Sequence, residues 1–181
     1  MKLLAQRPLG WMRKRRAARG QALVEFAIVI PIFLSLMFGL VELSLVYGAA
    51  ALYNNAADLA ARSASIAEAS SSTSDAQAVA TILHIVHPYF MAQIVQIAIY
   101  QSDALGSGPQ TATENLFDGT GTAILPQNWP IANRISTVDA PLYIGVRITY
   151  RYTWLTSFIG ATGTTLILQA TSIMPIAPIG G

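Results

Sequence analysis

The sequence predicts an α+β protein. A long N-terminal transmembrane helix continues into a small domain with a second helix and an antiparallel sheet of about three strands. The first observation is a run without charge between Glu25 and Glu42, in a chain of 181 residues that is 53% hydrophobic and 11% charged. The second is an alanine-rich continuation up to residue 69, and the third is a set of alternating apolar and polar segments nearer the C-terminus. A mean hydropathy of +0.47 also favours a membrane segment or a buried assembly interface.

The first twenty residues form a basic segment. They hold seven of the eleven lysines and arginines and no acid, whereas the remaining chain holds four bases and nine acids, a balance of −5. Positive charge beside an apolar run stays on the cytoplasmic side of a membrane, so this segment indicates orientation, and no nucleic-acid partner is expected. Pro8 and Gly10 oppose an early helix. The basic residues are Lys2, Arg7, Arg13, Lys14, Arg15, Arg16 and Arg19.

Residues 21–69 are predicted to form one long helix, with a membrane part at about 22–46. The apolar length from Gln21 to Val46 is about 39 Å at roughly 1.5 Å per residue, and a bilayer core needs about 20 residues. Two helices with a break near Gly48 are the alternative. Glu42 would mark either the outer membrane–water boundary or a contact with another subunit.

Beyond the membrane part, the helix is predicted to become amphipathic. Its apolar stripe needs a partner, and packing it on the sheet would bury both surfaces. Asp58 and Arg62 have the spacing of a favourable ion pair on one helix face. The residues expected in the stripe are Leu52, Ala56, Leu59 and Ile66.

Residues 70–181 are predicted to form the α+β domain, which begins with a second helix at 75–90. Ser74 or Asp75 is a candidate N-cap, because a short polar side chain can accept a hydrogen bond from the first helical turn. Pro88 is expected to end this helix.

The predicted sheet combines strands at 93–101, 142–154 and 164–174, the last two antiparallel to each other. Residues 103–141 are read as a long loop, with a short extra strand at about 123–125. The expected buried faces are Val95, Ile97 and Ile99 in the first strand, and Ile144, Val146, Ile148, Tyr150 and Tyr152 in the second.

Motifs for catalysis or metal binding are weak. The chain has no cysteine, which excludes disulfides and thiolate sites. His84 and His87 stand three apart on a helix, but no carboxylate lies at a matching spacing, so a structural or surface role is expected. Without a phosphate loop or a nucleophile elbow, we expect no enzymatic activity, no cofactor and no metal. An aromatic group expected in the core comprises Tyr143, Tyr150, Tyr152 and Trp154.

Ordinary export signals do not explain the N-terminal pattern. A secretory signal peptide has a shorter apolar core, and a carboxylate at Glu25 inside that core argues against one. Arg15-Arg16 lacks the flanking residues of a twin-arginine signal. A plain signal anchor fits the hydropathy but gives no reason for Glu25.

The stretch Gly20-Gln21-Ala22-Leu23-Val24-Glu25-Phe26 resembles the prepilin peptidase recognition site of type IV pilins, and residues 13–69 resemble the TadE family of pseudopilins of the tight-adherence (Flp) system. In that family a basic leader ends in Gly, and Glu is the fifth residue after the cleavage site. Here Phe26 stands where the Flp branch has Tyr, and 170–181 lacks the family's frequent Arg–Glu ending.

The resemblance implies a pilin-like fold and a set of roles. Residues 1–20 would be a cytoplasmic leader removed between Gly20 and Gln21, with Glu25 and Phe26 serving recognition and assembly. The partners would be a prepilin peptidase, other pilin and pseudopilin subunits, the assembly ATPase, the inner-membrane assembly platform and the lipid bilayer. Residues 70–181 would lie outside the bacterial cytoplasmic membrane.

The implied function is that of a minor pseudopilin, a structural or priming subunit of a Tad/Flp pilus. The alternative is an uncleaved, single-pass anchored ectodomain, such as an adhesin or an accessory subunit of another envelope complex.

Overall fold

The structure is a computed structural model that describes residues 10–66, 74–87, 89–155 and 165–178. Helix α1 runs from Gly10–Ile66 without interruption, so the continuous helix is confirmed and the alternative break near Gly48 is wrong. The predicted helix end at 67–69 lies outside the described residues.

The start of α1 differs from the prediction. The helix begins at Gly10, eleven residues before the expected position 21. Residues 12–19 consist of methionine, arginine, lysine and alanine, which are strong helix formers. This local propensity outweighs the effect expected of Gly10; Pro8 lies outside the described residues.

The chain forms two compact units, Met1–Val41 and Glu42–Gly181. In the first unit, the side chains from residue 20 onward are exposed around the helix with few exceptions. The described residues contain one stretch long and apolar enough to cross a membrane, Gly20–Ile66, whose most apolar window has a mean hydropathy of 2.4 and no buried residue. This stretch is the candidate single-pass membrane anchor.

The second unit contains helix α2 and a five-stranded antiparallel sheet with strand order β3-β2-β1-β4-β5. The sheet has five strands instead of about three because the predicted loop contains two of them. One is the short strand expected at 123–125, and the other was missed. The elements are α2 (Ser74–Val86), β1 (Ala92–Ser102), β2 (Glu114–Asp118), β3 (Ala123–Ile124), β4 (Tyr143–Thr153) and β5 (Thr165–Pro175).

The core lies between the sheet and α1, as predicted. All five residues of the predicted β4 face are buried. The stripe on α1 differs, however, because Leu59 is 41% exposed and Ile66 is 68% exposed. Small side chains instead let the helix approach the sheet closely, and the Tyr53 ring stacks on Tyr150 with 3.8 Å between centroids. The buried stripe is Ala49, Tyr53, Ala56, Ala57, Ala60, Ala61 and Ala64.

One residue of the predicted β1 face is misplaced. Ile97 and Ile99 are buried, but Val95 is 41% exposed. The register of β1 against β4 shifts between Ile94 and Gln96, so Val95 is the extra residue of a β-bulge. A bulge inserts one residue, and the alternation of faces therefore breaks there.

The start of α2 also corrects a prediction. Ser74 and Asp75 lie inside the helix rather than capping it. The Asp75 carboxylate instead forms a buried ion pair with Arg134, and its Oδ2 accepts a hydrogen bond from Asn115 at 2.8 Å. Helix α2 ends at Val86, four residues before the predicted end; Pro88 lies outside the described residues.

Candidate functional site

The residues predicted to guide processing and assembly lie together on α1. Gly20, Gln21, Glu25 and Phe26 are all exposed. The Gln21 side-chain amide donates a hydrogen bond to the Glu25 carboxylate at 3.1 Å, one helical turn away. A carboxylate in this apolar stretch is costly, on the order of 2.5–3.5 kcal/mol for an acid at the centre of a membrane helix. The contact with Gln21 offsets part of that cost.

Gly20 has no structural reason to be glycine. A Cβ at this position would meet no atom of the described chain within 4 Å. Glycine inside a helix costs about 0.5–1 kcal/mol relative to alanine. The described part of the fold therefore gives no packing reason for a glycine at this position.

Phe26 adds an aromatic ring to an exposed apolar surface. It is 62% exposed, beside Leu23 at 69% and Val24 at 60%. An apolar surface of this extent requires lipid or another protein to cover it. The segment therefore combines a small residue, a carboxylate and an aromatic ring on an exposed stretch of α1, residues 20–26.

Glu42 forms a second polar site, at the start of the other unit. It is 0% exposed. Its Oε1 accepts hydrogen bonds from the Tyr152 hydroxyl at 3.2 Å and from the Leu155 backbone N–H at 2.8 Å. The sequence had left open a membrane boundary or a subunit contact. The structure shows a contact within the chain between residues more than a hundred positions apart. A local sequence pattern cannot predict such a contact.

Tyr89 joins the same region. Its hydroxyl donates a hydrogen bond to the Leu45 carbonyl at 2.8 Å. Burial, and then the nearby charge of Glu42, raise the pKa of Tyr89. The Thr153 N–H donates to the Met91 carbonyl at 2.9 Å, which joins the turn before β1 to the end of β4. The first turns of α1 in this unit thus hold both segments.

The histidines show no ligand geometry. His84 on α2 and His87 directly after it are exposed, and the described residues contain no group of three or more His, Asp or Glu side chains placed to hold a metal ion. His87 lines a cavity of about 570 Å³ together with Tyr53, Tyr89 and Ile94.

The predicted aromatic group divides between two contacts. Tyr150 stacks on Tyr53, and Tyr152 meets Trp154 edge-on with 5.6 Å between ring centroids. Tyr143 is half-buried at the opposite end of β4. Tyr150 and Tyr152 are buried and pack the domain, whereas Tyr143 and Trp154 are half-buried.

Comparison with known families bears on the first of these two sites. Residues 20–62 match the family model described as TadE-like protein. The matched range begins at Gly20 and includes Gln21, Glu25 and Phe26, so the expected resemblance is confirmed for this segment. No curated protein and no solved structure matches the chain.

Proposed function

We propose, from the TadE-like segment at residues 20–62, that this chain is a minor pseudopilin of a Tad/Flp pilus assembly or secretion machine. The match associates the chain with the Tad pilus. The finer role, a structural or priming subunit without enzymatic activity, is our proposal. The observation that carries it is Gly20, which the described part of the fold does not require and which begins the exposed apolar stretch of α1 that contains Glu25.

Processing after Gly20 would change the charge of the protein without releasing its anchor. Cleavage would remove a leader with seven basic residues and leave a chain with four bases and nine acids. The apolar helix would stay attached, unlike in ordinary secretion. The new α-amine at Gln21 would have an ordinary pKa of about 7.7–8.0, so most of it would be protonated at neutral pH.

Glu25 would guide the docking of subunits. An ammonium group of a neighbouring subunit could approach Glu25 and form a charge-assisted hydrogen bond, which is stronger than the present contact with the Gln21 amide. The gain would arise only when the partner stands at the correct height along the helix. Pairing of this kind would therefore set the register of an incoming subunit.

The proposed organisation places each part in a compartment. Residues 1–20 are a cytoplasmic leader, residues 21–69 form the helix with its membrane part at about 22–46, and residues 70–181 lie outside the cytoplasmic membrane. The proposed partners are a prepilin peptidase, other pilin and pseudopilin subunits, the inner-membrane platform and lipid. Basic residues before the apolar run support this orientation.

N-terminal sequencing of the membrane-bound protein tests the proposal. In cells with an active prepilin peptidase, we expect the mature chain to start at Gln21. Gly20→Leu should block processing, because it changes the proposed cleavage site. Gly48→Leu is the matched control and should be processed normally. Both glycines are exposed on α1, and neither has a neighbour within 4 Å of an added Cβ in the described chain. An intact Met1 beside an active peptidase would overturn the proposal and favour an uncleaved anchored ectodomain.

A further inference from the structure

Two turns lie against the point where α1 enters the second unit. The Leu155 N–H donates to Glu42 at 2.8 Å, and the Tyr89 hydroxyl donates to the Leu45 carbonyl at 2.8 Å. The Thr153 N–H, at the end of β4, donates to the Met91 carbonyl at 2.9 Å, so the first turn also bonds the strand that leads into the second. We call these turns, residues 89–91 and 154–155, together with Tyr47, the α1-entry rim.

The α1-entry rim exposes large apolar side chains. Phe90 is 84% exposed, Tyr47 is 76% exposed and Leu155 is 57% exposed. Trp154 is half-buried and packs edge-on against Tyr152. Glu42, the acid that the Leu155 N–H contacts, is buried within the domain. Tyrosine and tryptophan with apolar neighbours are the composition of side chains at membrane–water interfaces.

The length of the proposed membrane span bears on the height of this rim. The basic residues end at Arg19, which fixes the cytoplasmic end of the span. Residues 21–41 form 21 helical positions, about 32 Å at roughly 1.5 Å each, and a hydrocarbon core is about 30 Å thick. The hydrocarbon core then ends near Glu42, so residues 42–46, the last of the proposed membrane part, fall in the headgroup layer together with the rim beside them.

We infer that the α1-entry rim rests in the outer headgroup layer of the bilayer that holds α1, so that the folded domain itself binds the lipid surface. The inference depends on the membrane span and not on cleavage or on a pilus role. The contacts to Glu42 and Leu45 hold both turns at this height. The buried position of Glu42 keeps its carboxylate away from the hydrocarbon, where it would be costly.

Site-specific fluorescence quenching tests the inference, since the chain has no cysteine and each probe can be placed alone. The full-length protein would carry Phe90→Cys or Leu155→Cys, labelled with bimane and reconstituted in vesicles of phosphatidylcholine and phosphatidylglycerol. Leu105→Cys is the matched control, because Leu105 is 96% exposed but follows the opposite end of β1. None of these side chains is buried, so the fold should tolerate the probes.

We expect lipid carrying a nitroxide near the headgroup end of its acyl chain to quench the probes at 90 and 155 several-fold more strongly than the probe at 105. Aqueous iodide should give the opposite order. Equal quenching of all three probes by iodide, without an effect of the nitroxide lipid, would overturn the inference. No peptidase is present in these vesicles, so this outcome is independent of processing at Gly20.

Discussion

The Glu42 side chain joins α1 to the C-terminal end of β4. Its carboxylate accepts hydrogen bonds from Tyr152 on β4 and from the Leu155 backbone, and both lie more than a hundred residues away. Burial and the interaction with Glu42 raise the pKa of the Tyr152 hydroxyl, so it stays a donor throughout the neutral range. This contact therefore joins α1 to the end of β4.

Removing the acceptor should weaken the folded domain. Glu42→Ala leaves the buried Tyr152 hydroxyl and the Leu155 N–H without this partner, and an unsatisfied buried group costs about 1–3 kcal/mol. Glu42→Gln keeps an acceptor oxygen and should cost less. The free energy of unfolding, measured by urea titration of the full-length protein in detergent micelles, gives the comparison.

Asp58→Ala is the control for this prediction, because Asp58 is an exposed acid on the same helix. Within the described residues, Asp58 does not form the predicted ion pair with Arg62. Its removal should change the free energy of unfolding by no more than a few tenths of a kcal/mol, in line with exposed pairs of this spacing. Equal losses for Glu42→Ala and Asp58→Ala would contradict the role given to Glu42.

At the level of elements, local alternation of apolar and polar residues predicted the central strands. Strand β2 and the buried stripe of α1 depend on non-local contacts, so the sequence did not predict them. Strand β4 has an unbroken apolar face, so its burial followed from the sequence. Strand β2 is five residues long, and its Asn115 faces the core; no apolar run marks it. The alanine stripe of α1 was missed because alanine suits any helix surface, and only the sheet opposite shows which alanines are buried.

Helix α2 is fastened by a buried polar cluster. Arg134 pairs with Asp75, with 2.8 Å between Nη2 and Oδ2, and its guanidinium lies 4.2 Å from the centre of the Trp129 ring. The Arg134 side chain also donates to the Trp129 carbonyl at 2.9 Å. Asn115 on β2 donates to both Asp75 and Trp129. The cluster thus joins the start of α2 to the sheet and to the segment after β3.

Breaking this cluster on one side should be costly. Arg134→Met leaves the Asp75 carboxylate buried without its cation, and removing one member of a buried pair costs about 3–5 kcal/mol. Adding Asp75→Asn should recover part of the loss, because no charge then remains to be desolvated. The double-mutant cycle, followed by urea unfolding, measures the coupling. Strictly additive losses would show that the ion pair is not what fastens α2.

For the whole molecule, the site proposed at Gly20 and Glu25 and the contact at Glu42 depend on different kinds of pattern. Gly20 and Glu25 are close in sequence on an exposed stretch of α1, so the proposal for them rests on a local pattern. Glu42 acquires its role through the folded sheet, and a charge at the end of an apolar run could not reveal its partners. Features of the exposed stretch of α1 can thus be predicted from neighbouring residues, whereas contacts in the folded domain depend on residues far apart in the sequence.

The last prediction separates membrane insertion from assembly. Glu25→Ala removes a costly carboxylate from the apolar stretch, so insertion should be unchanged or improved. If an ammonium group of a neighbouring subunit pairs with Glu25, assembly should fail in Glu25→Ala and also in Glu25→Gln, which keeps a hydrogen-bonding oxygen but no charge. Membrane fractionation measures the first step, and co-purification with pilin subunits measures the second. Gln21→Ala, which removes the side-chain contact to Glu25 alone, should still assemble. Normal assembly of Glu25→Gln would exclude charge pairing.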